Sequence, residues 1–214
     1  MDSQKKFMVI EGPIGVGKTT LATKLAKVFN CKIMLENFSD NPFLRKFYQD
    51  PDRHALATQL HFLLKRSHQY INYKIERPLK SCIVSDYFLQ KDRLFAETVL
   101  NGDELELYIK IYNQLNLKPI KPDLVIYLQA TSDVLLERIK SRSIKYEQGI
   151  TKDYVENIVD SYTNYFHEYK DCPLLIINTS NVDINKPHDF KMLINEIGKD
   201  IKGKKYFNPA TLED

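Results

Sequence analysis

An excess of charge of one sign is nearly absent from this sequence: 31 Lys and Arg stand against 28 Asp and Glu, leaving +3 over 214 residues. No global field therefore draws the chain to nucleic acid or to an anionic membrane, and any basic site must be local. Long apolar runs are missing as well. No stretch approaches the roughly 20 apolar residues of a membrane span, and the polar N-terminus holds only one short apolar run. Cysteine is scarce. Cys31, Cys82 and Cys172 are odd in number, far apart and each beside an expected strand, so they read as free buried thiols of a reducing compartment, not as a disulfide framework or a metal site. His54, His61, His68, His167 and His188 show no metal-ligand spacing and read as surface or rim residues. Internal repeats, low-complexity tracts and interdomain linkers do not occur. The expectation is a cytoplasmic protein of one domain over residues 1–202, with a charged tail, 203–214, that is only partly ordered.

Five short apolar runs are present, at 7–10, 31–35, 81–84, 124–128 and 174–177, with helical segments between them. Their hydrophobicity is unbroken where a half-exposed strand would alternate. That predicts an α/β fold with a five-stranded parallel sheet covered by helices on both faces. Residues 41–74 read as all-helical, including a helix over 52–70, and 103–115 and 154–169 give two further helices. The aromatic stripe Tyr154, Ile158, Tyr165, Tyr169 reads as core or subunit interface, without chemistry. Ligands of such sheets gather at the carboxyl ends of the strands, so the residues after each run are the candidates.

After the first run comes Gly12-Pro13-Ile14-Gly15-Val16-Gly17-Lys18-Thr19, followed by Thr20 and a helical pattern. Strand, glycine loop and helix in this order make a P-loop. Backbone N–H groups and the positive end of the helix face a phosphate, Lys18 reaches its outer oxygens, and the Thr19 hydroxyl can ligate Mg²⁺. After the second run stands Glu36, placed to accept the proton of an attacking hydroxyl or, equally, to be a solvated loop or capping residue. After the third stands Asp86, which can hold Mg²⁺ with Thr19, cap a helix over 87–95, or do both. Gln59, Phe62, Leu63 and Arg66 share one helix face. This is either a polar rim or a pocket for a flat heterocycle, because a glutamine amide pairs with a base edge while an aromatic covers its plane. Arg138 and Arg142 lie one turn apart on a helix that runs into a loop ended by Gly149, a solvated face or a basic lid over residues 140–150.

With these pieces in order the chain resembles the deoxynucleoside kinase family, and most closely its bacterial deoxyadenosine/deoxyguanosine type. The resemblance runs from Phe7 to about Phe190. It rests on Glu11-Gly-Pro-Ile-Gly-Val-Gly-Lys-Thr, Glu36 with Asp40-Asn-Pro-Phe, Phe47-Tyr-Gln-Asp-Pro-Asp-Arg53, the Gln59 helix, Ser85-Asp-Tyr-Phe, Pro122-Asp-Leu, and Arg138-Ile-Lys-Ser-Arg with Glu147-Gln-Gly-Ile. It implies a P-loop kinase fold and transfer of a phosphoryl group from ATP, with Mg²⁺, to the 5′-hydroxyl of a deoxyribonucleoside. Glu36 would be the base, Tyr48 and Glu147 contacts to the 3′-hydroxyl, Gln59 the base-edge ligand and Arg66 a pocket residue paired with Asp92. Arg138 and Arg142 would be lid cations, Asp189 and Phe190 would lie near the donor base, and the assembly would be a homodimer joined through helices.

The sequence departs from the family pattern at Tyr87, where many members carry arginine, and at Ile144. The missing charge is expected from Arg142 or Lys145. A thymidylate-kinase-like enzyme is the nearest rival, but Glu36 stands where such enzymes place arginines for an acceptor phosphate. A GTP-binding switch is further off, because Asn185-Lys-Pro-His188 lacks the final acid of a guanine-reading motif.

Overall fold

The structure is a computed structural model that describes residues 5–76, 82–117 and 120–208. Six parallel strands form one sheet in the order β2-β3-β1-β4-β5-β6: β1 Phe7–Glu11, β2 Lys32–Met34, β3 Ile83–Ser85, β4 Leu124–Gln129, β5 Leu174–Asn178 and β6 Lys204–Phe207. Five were expected. The sixth lies in what reads as a tail, because its burial pattern is three exposed residues followed by Phe207, and two of the exposed ones are lysines. It is nonetheless hydrogen-bonded along β5, Leu174 opposite Lys204 and Ile177 opposite Phe207. Only residues 209–214 of that tail lie outside the described ones.

The helices are α1 Lys18–Val28, α2 Leu44–Phe47, α3 Pro51–Glu76, α4 Lys91–Val99, α5 Gly102–Gln114, α6 Ser132–Ser141, α7 Lys152–Glu168 and α8 Pro187–Ile197. The residues of β1 divide between two cores, as the period of a strand requires. Met8 and Ile10 join Leu21 and Leu25 of α1, Leu135 and Ile139 of α6 and Leu193 of α8. Phe7 and Val9 join Ile158, Tyr162 and Phe166 of α7. A third cluster, Leu44, Phe47, Ala55, Leu63, Ala96 and Tyr108, ties α2, α3, α4 and α5 together beside the sheet.

Three local expectations change. Residues 41–74 are not one helical run: the chain turns between α2 and α3, with Pro51 opening the longer helix where its missing N–H costs nothing. Asp86 is not a helix cap, because α4 begins only at Lys91 with Gln90 before it. Cys31 and Cys82 are not free thiols. They form a disulfide with a Cα–Cα distance of 4.6 Å, and Cys172 is a free buried thiol. The two cysteines lie 51 residues apart in sequence. Each immediately precedes a residue of the Lys32–Ile83 pair that opens the β2–β3 ladder, so the sheet order alone makes them neighbours.

Candidate active site

The carboxyl ends of β1, β2 and β3 open into one cavity of about 360 Å³, within the size range of small-molecule sites. Its first wall is the loop between β1 and α1. Gly12 has φ 150°, and a Cβ there would lie 2.4 Å from the Leu128 carbonyl oxygen, so the turn against β4 admits only glycine. Gly17 precedes α1 with φ 102°, which points the first turn of that helix at the cavity. Ile14, Gly15, Gly17, Lys18, Thr19 and Thr20 line the wall. Val16 packs into the core, and Gly12 and Pro13 offer their carbonyls to Lys18 Nζ at 2.8 and 3.0 Å. Burial, and then the charge of Lys91, push Lys18 down to about 8, against the pull of Glu11, Glu36 and Asp86. An ammonium so placed gains a partner when phosphate arrives.

Asp86 joins the loop to the second wall. Thr19 Oγ1 donates to its Oδ2 at 2.5 Å, and the Glu36 backbone N–H donates to its Oδ1 at 2.8 Å. Burial raises the Asp86 carboxyl, with the two hydrogen bonds opposing. A hydroxyl and a carboxylate, hard oxygen donors already in contact, fit a magnesium ion.

Glu36 follows β2 and uses its two oxygens differently. Oε1 accepts from Arg66 Nε at 2.6 Å and pairs with Nη2 as well. Oε2 faces the Lys91 ammonium at 4.0 Å. Burial alone would raise this carboxyl, but Arg66, Lys91 and Lys18 outweigh it and hold the group below the usual carboxylate range. Behind it Arg66 Nη1 pairs with Asp92. Asp92 is fully buried, with Oδ2 unpartnered among the described residues. Burial pushes its carboxyl up to about 6, against the attraction of Arg66.

The third wall is apolar and aromatic. Gln59 and Phe62 line it from α3, with Arg66 Cζ 5.0 Å above the Phe62 ring, while Leu63 turns into the helical cluster. Tyr48 stacks on Tyr146 with centroids 6.1 Å apart and meets Tyr154 edge-on. Glu147, buried and raised by that burial, lies beside them with Oε2 unpartnered among the described residues. Phe95, Arg142 and Ile144 complete the rim.

Cradle, carboxylate and flat aromatic slot thus stand in one cavity. The deoxynucleoside kinase family model matches residues 8–202. The chain belongs to that family.

Among known proteins, the deoxyguanosine kinase of Bacillus subtilis is 37% identical over 73% of this chain and 76% of its own length. A deoxyadenosine kinase of Dictyostelium discoideum is 28% identical over 95% of this chain and 84% of its own. The solved structure of deoxyadenosine kinase from M. mycoides with bound dATP superposes with a TM-score of 0.79 at 23% identity, covering 90% of this chain and all of that one, a likeness of fold.

Within the family frame, the cavity brings together Lys18, Thr19, Thr20, Glu36, Tyr48, Gln59, Phe62, Arg66, Asp86, Arg142 and Glu147, with Asp92 one residue behind Arg66. Two groups of candidate residues do not line this cavity. Arg138 donates to the Thr179 hydroxyl and carbonyl, both at 2.8 Å, and is not part of the lining. Asp189 accepts the Asp183 N–H at 3.0 Å, and Phe190 lies under Lys24 of α1. Of the two cations expected to supply the charge missing at Tyr87, Lys145 is exposed and outside the cavity lining. Tyr87 itself is buried against Tyr70, and Arg142 and Lys91 line the cavity instead.

Sequence reading missed Lys91 and Tyr154. Lys91 stands five residues after Asp86 in a stretch taken for helix, so its direction was hidden. Tyr154 belongs to the stripe that reads as core or subunit interface, and of that stripe it alone lines the cavity while Ile158 and Tyr169 are buried.

Proposed function

We propose that the protein transfers the γ-phosphoryl group of ATP to the 5′-hydroxyl of a deoxyribonucleoside, giving the 5′-monophosphate for nucleotide salvage. The observation that carries this is Glu36 Oε2, which takes no hydrogen bond among the described residues and lies 4.0 Å from the Lys91 ammonium, while Arg66 occupies Oε1. Glu36 lines the cavity together with the phosphate loop and the Gln59–Phe62 slot. A hydroxyl bound there meets a carboxylate held ionised, whose fixed orientation supports in-line attack.

The γ-phosphate rests on the loop N–H groups, Lys18 and Arg142. Thr19 and Asp86 would hold Mg²⁺, which when bound neutralises charge on the donor phosphates. The base lies against Phe62 with its edge on Gln59, and Tyr48 and Glu147 take the sugar. Arg138, anchored on Thr179, supports the helix that carries the 140–150 lid. Asp189 and Phe190 flank the far side of α1, toward the donor's base. The chain from β1 through β6 acts as one domain, with Phe207 of β6 in its core, in the cytoplasm. The working form is a homodimer joined through helices, supported by exposed Leu64 and Ile71 on one face of α3 and by Leu107 on the neighbouring α5.

The names of the relatives direct the first assay to purine deoxynucleosides. Incubation with ATP, Mg²⁺ and deoxyadenosine, deoxyguanosine, deoxycytidine, thymidine or thymidine monophosphate tests the reading. Product from unphosphorylated nucleosides is expected. Product from the monophosphate alone would replace this function with a monophosphate kinase.

A further inference from the structure

We propose that Lys91 is a catalytic residue of this site, the cation that meets the phosphoryl group as it crosses from the phosphate loop to the hydroxyl held by Glu36. The proposal rests on the phosphoryl-transfer reading above.

Lys91 is the first residue of α4. It is only 3% exposed, yet it lines the cavity. Its Nζ donates to Glu11 Oε1 at 3.0 Å. The nearest other carboxylate oxygen, Glu36 Oε2 at 4.0 Å, is beyond hydrogen-bond reach. An ammonium carries three donors, and among the described residues a single one is spent. A buried cation with unspent donors calls for an anion. The position tells which anion. On one side lies Glu36, where the acceptor hydroxyl binds. On the other lies Lys18, and among the charges that bear on Lys18, Lys91 is the largest. Both ammonium groups line the same cavity, and a phosphoryl group crossing it is an anion that both can meet.

Service as the counter-ion of the fully buried Glu11 accounts for one donor of Lys91 and leaves the others unexplained. Glu11 Oε1 already accepts from the Gly12 N–H at 3.1 Å and from the Tyr162 hydroxyl at 2.7 Å, and a counter-ion alone has no need to face the cavity. Glu11 is instead the anchor. As the last residue of β1 it stands directly before the phosphate loop, so its grip fixes the Lys91 ammonium relative to the phosphates.

In the transfer, the 5′-oxygen forms a bond to the γ-phosphorus while the bond from that phosphorus to the β–γ bridging oxygen breaks. ADP leaves with the electron pair, and the hydroxyl proton passes to Glu36 Oε2. Lys91 stabilises charge on the equatorial oxygens during the crossing, while Arg66 is held by Glu36 and Asp92.

The decisive measurement is a binding one. ADP with Mg²⁺ and aluminium fluoride, a planar mimic of the group in transit, is titrated calorimetrically into protein saturated with deoxyadenosine or deoxyguanosine, whichever the wild type phosphorylates. Two variants are compared with it: K91M, and E11Q/K91M, which removes the buried charges as a pair and so leaves no unpaired carboxylate if K91M folds poorly. Both variants are expected to bind ADP and the nucleoside separately as the wild type does, while the fluoride complex and kcat weaken on the order of 10²-fold. Wild-type affinity of E11Q/K91M for the fluoride complex overturns the proposal and leaves Lys91 as the counter-ion of Glu11. Absence of any nucleoside phosphorylation by the wild type is a different failure: it overturns the phosphoryl-transfer reading itself, and the proposal with it.

Discussion

At the scale of single residues, the site depends on the unequal use of carboxylate oxygens. Glu36 gives one oxygen to Arg66 and keeps the other toward the cavity, so its replacement by glutamine removes the proton acceptor but leaves the phosphate loop untouched. Glu36→Gln should lower kcat by about 10²–10⁴-fold with ATP affinity close to wild type, measured by steady-state kinetics beside ATP calorimetry. Asp92 gives a second test, through pH. Its folded-state carboxyl is raised, to about 6, so the sign is the reverse of an ordinary surface carboxylate. The stability it contributes is fully present below the unfolded value near 4 and is lost as pH rises through about 6. Urea unfolding of wild type and Asp92→Asn should therefore diverge between pH 4 and pH 7. The wild type should lose about 1–3 kcal/mol relative to the variant over that interval, and parallel curves would mean that Asp92 is ionised throughout.

At the scale of elements, each wall of the cavity is set by how a helix starts. Gly17 starts α1 from a left-handed conformation and aims its first turn at the phosphates. Thr151 starts α7, where its side chain accepts the Tyr154 N–H at 3.2 Å, and Tyr154 then reaches the slot lined by Tyr48. Thr151→Ala should cost about 1 kcal/mol of stability, read from urea denaturation. It should also raise KM for the nucleoside more than it lowers kcat, because Tyr154 touches the slot and not the phosphates. The β2–β3 ladder begins next to the Cys31–Cys82 disulfide, at the end of the strands away from Glu36 and Asp86.

At the scale of the whole molecule, a parallel sheet with a topological switch beside β1 places the glycine loop, Glu36 and the contacting pair Thr19 and Asp86 together although they come from separate strands. The helices beside the sheet leave Leu64, Ile71 and Leu107 exposed, each near half of its surface, which is where a second copy would bind. Size-exclusion chromatography with light scattering should give a dimer mass for the wild type and a monomer mass for L64E/I71E. A monomeric wild type would remove the homodimer from the proposed function.

The sequence by itself determined what is local. The strand, glycine loop and helix around Lys18 are contiguous, so their chemistry is written in neighbouring residues. Glu36 and Asp86 are legible as candidates because the carboxyl end of a strand marks the ligand edge of such a sheet, although β2 itself is a largely exposed edge strand. The Gln59, Phe62 and Arg66 face was legible because helical period alone puts them side by side. Tertiary structure decided the rest, since each remaining contact joins residues with no periodic relation. Arg66 reaches Asp92 across 26 positions and Lys91 reaches Glu11 across 80. Tyr154 separates from its own stripe only because α7 runs past Tyr48, and β6 pairs through backbone groups that its lysines do not advertise. Arg138 turns to Thr179 because the loop after β5 offers it a hydroxyl and a carbonyl. Hydrogen bonds and ion pairs over such separations depend on sheet order and helix placement, and these are settled by packing the whole chain at once.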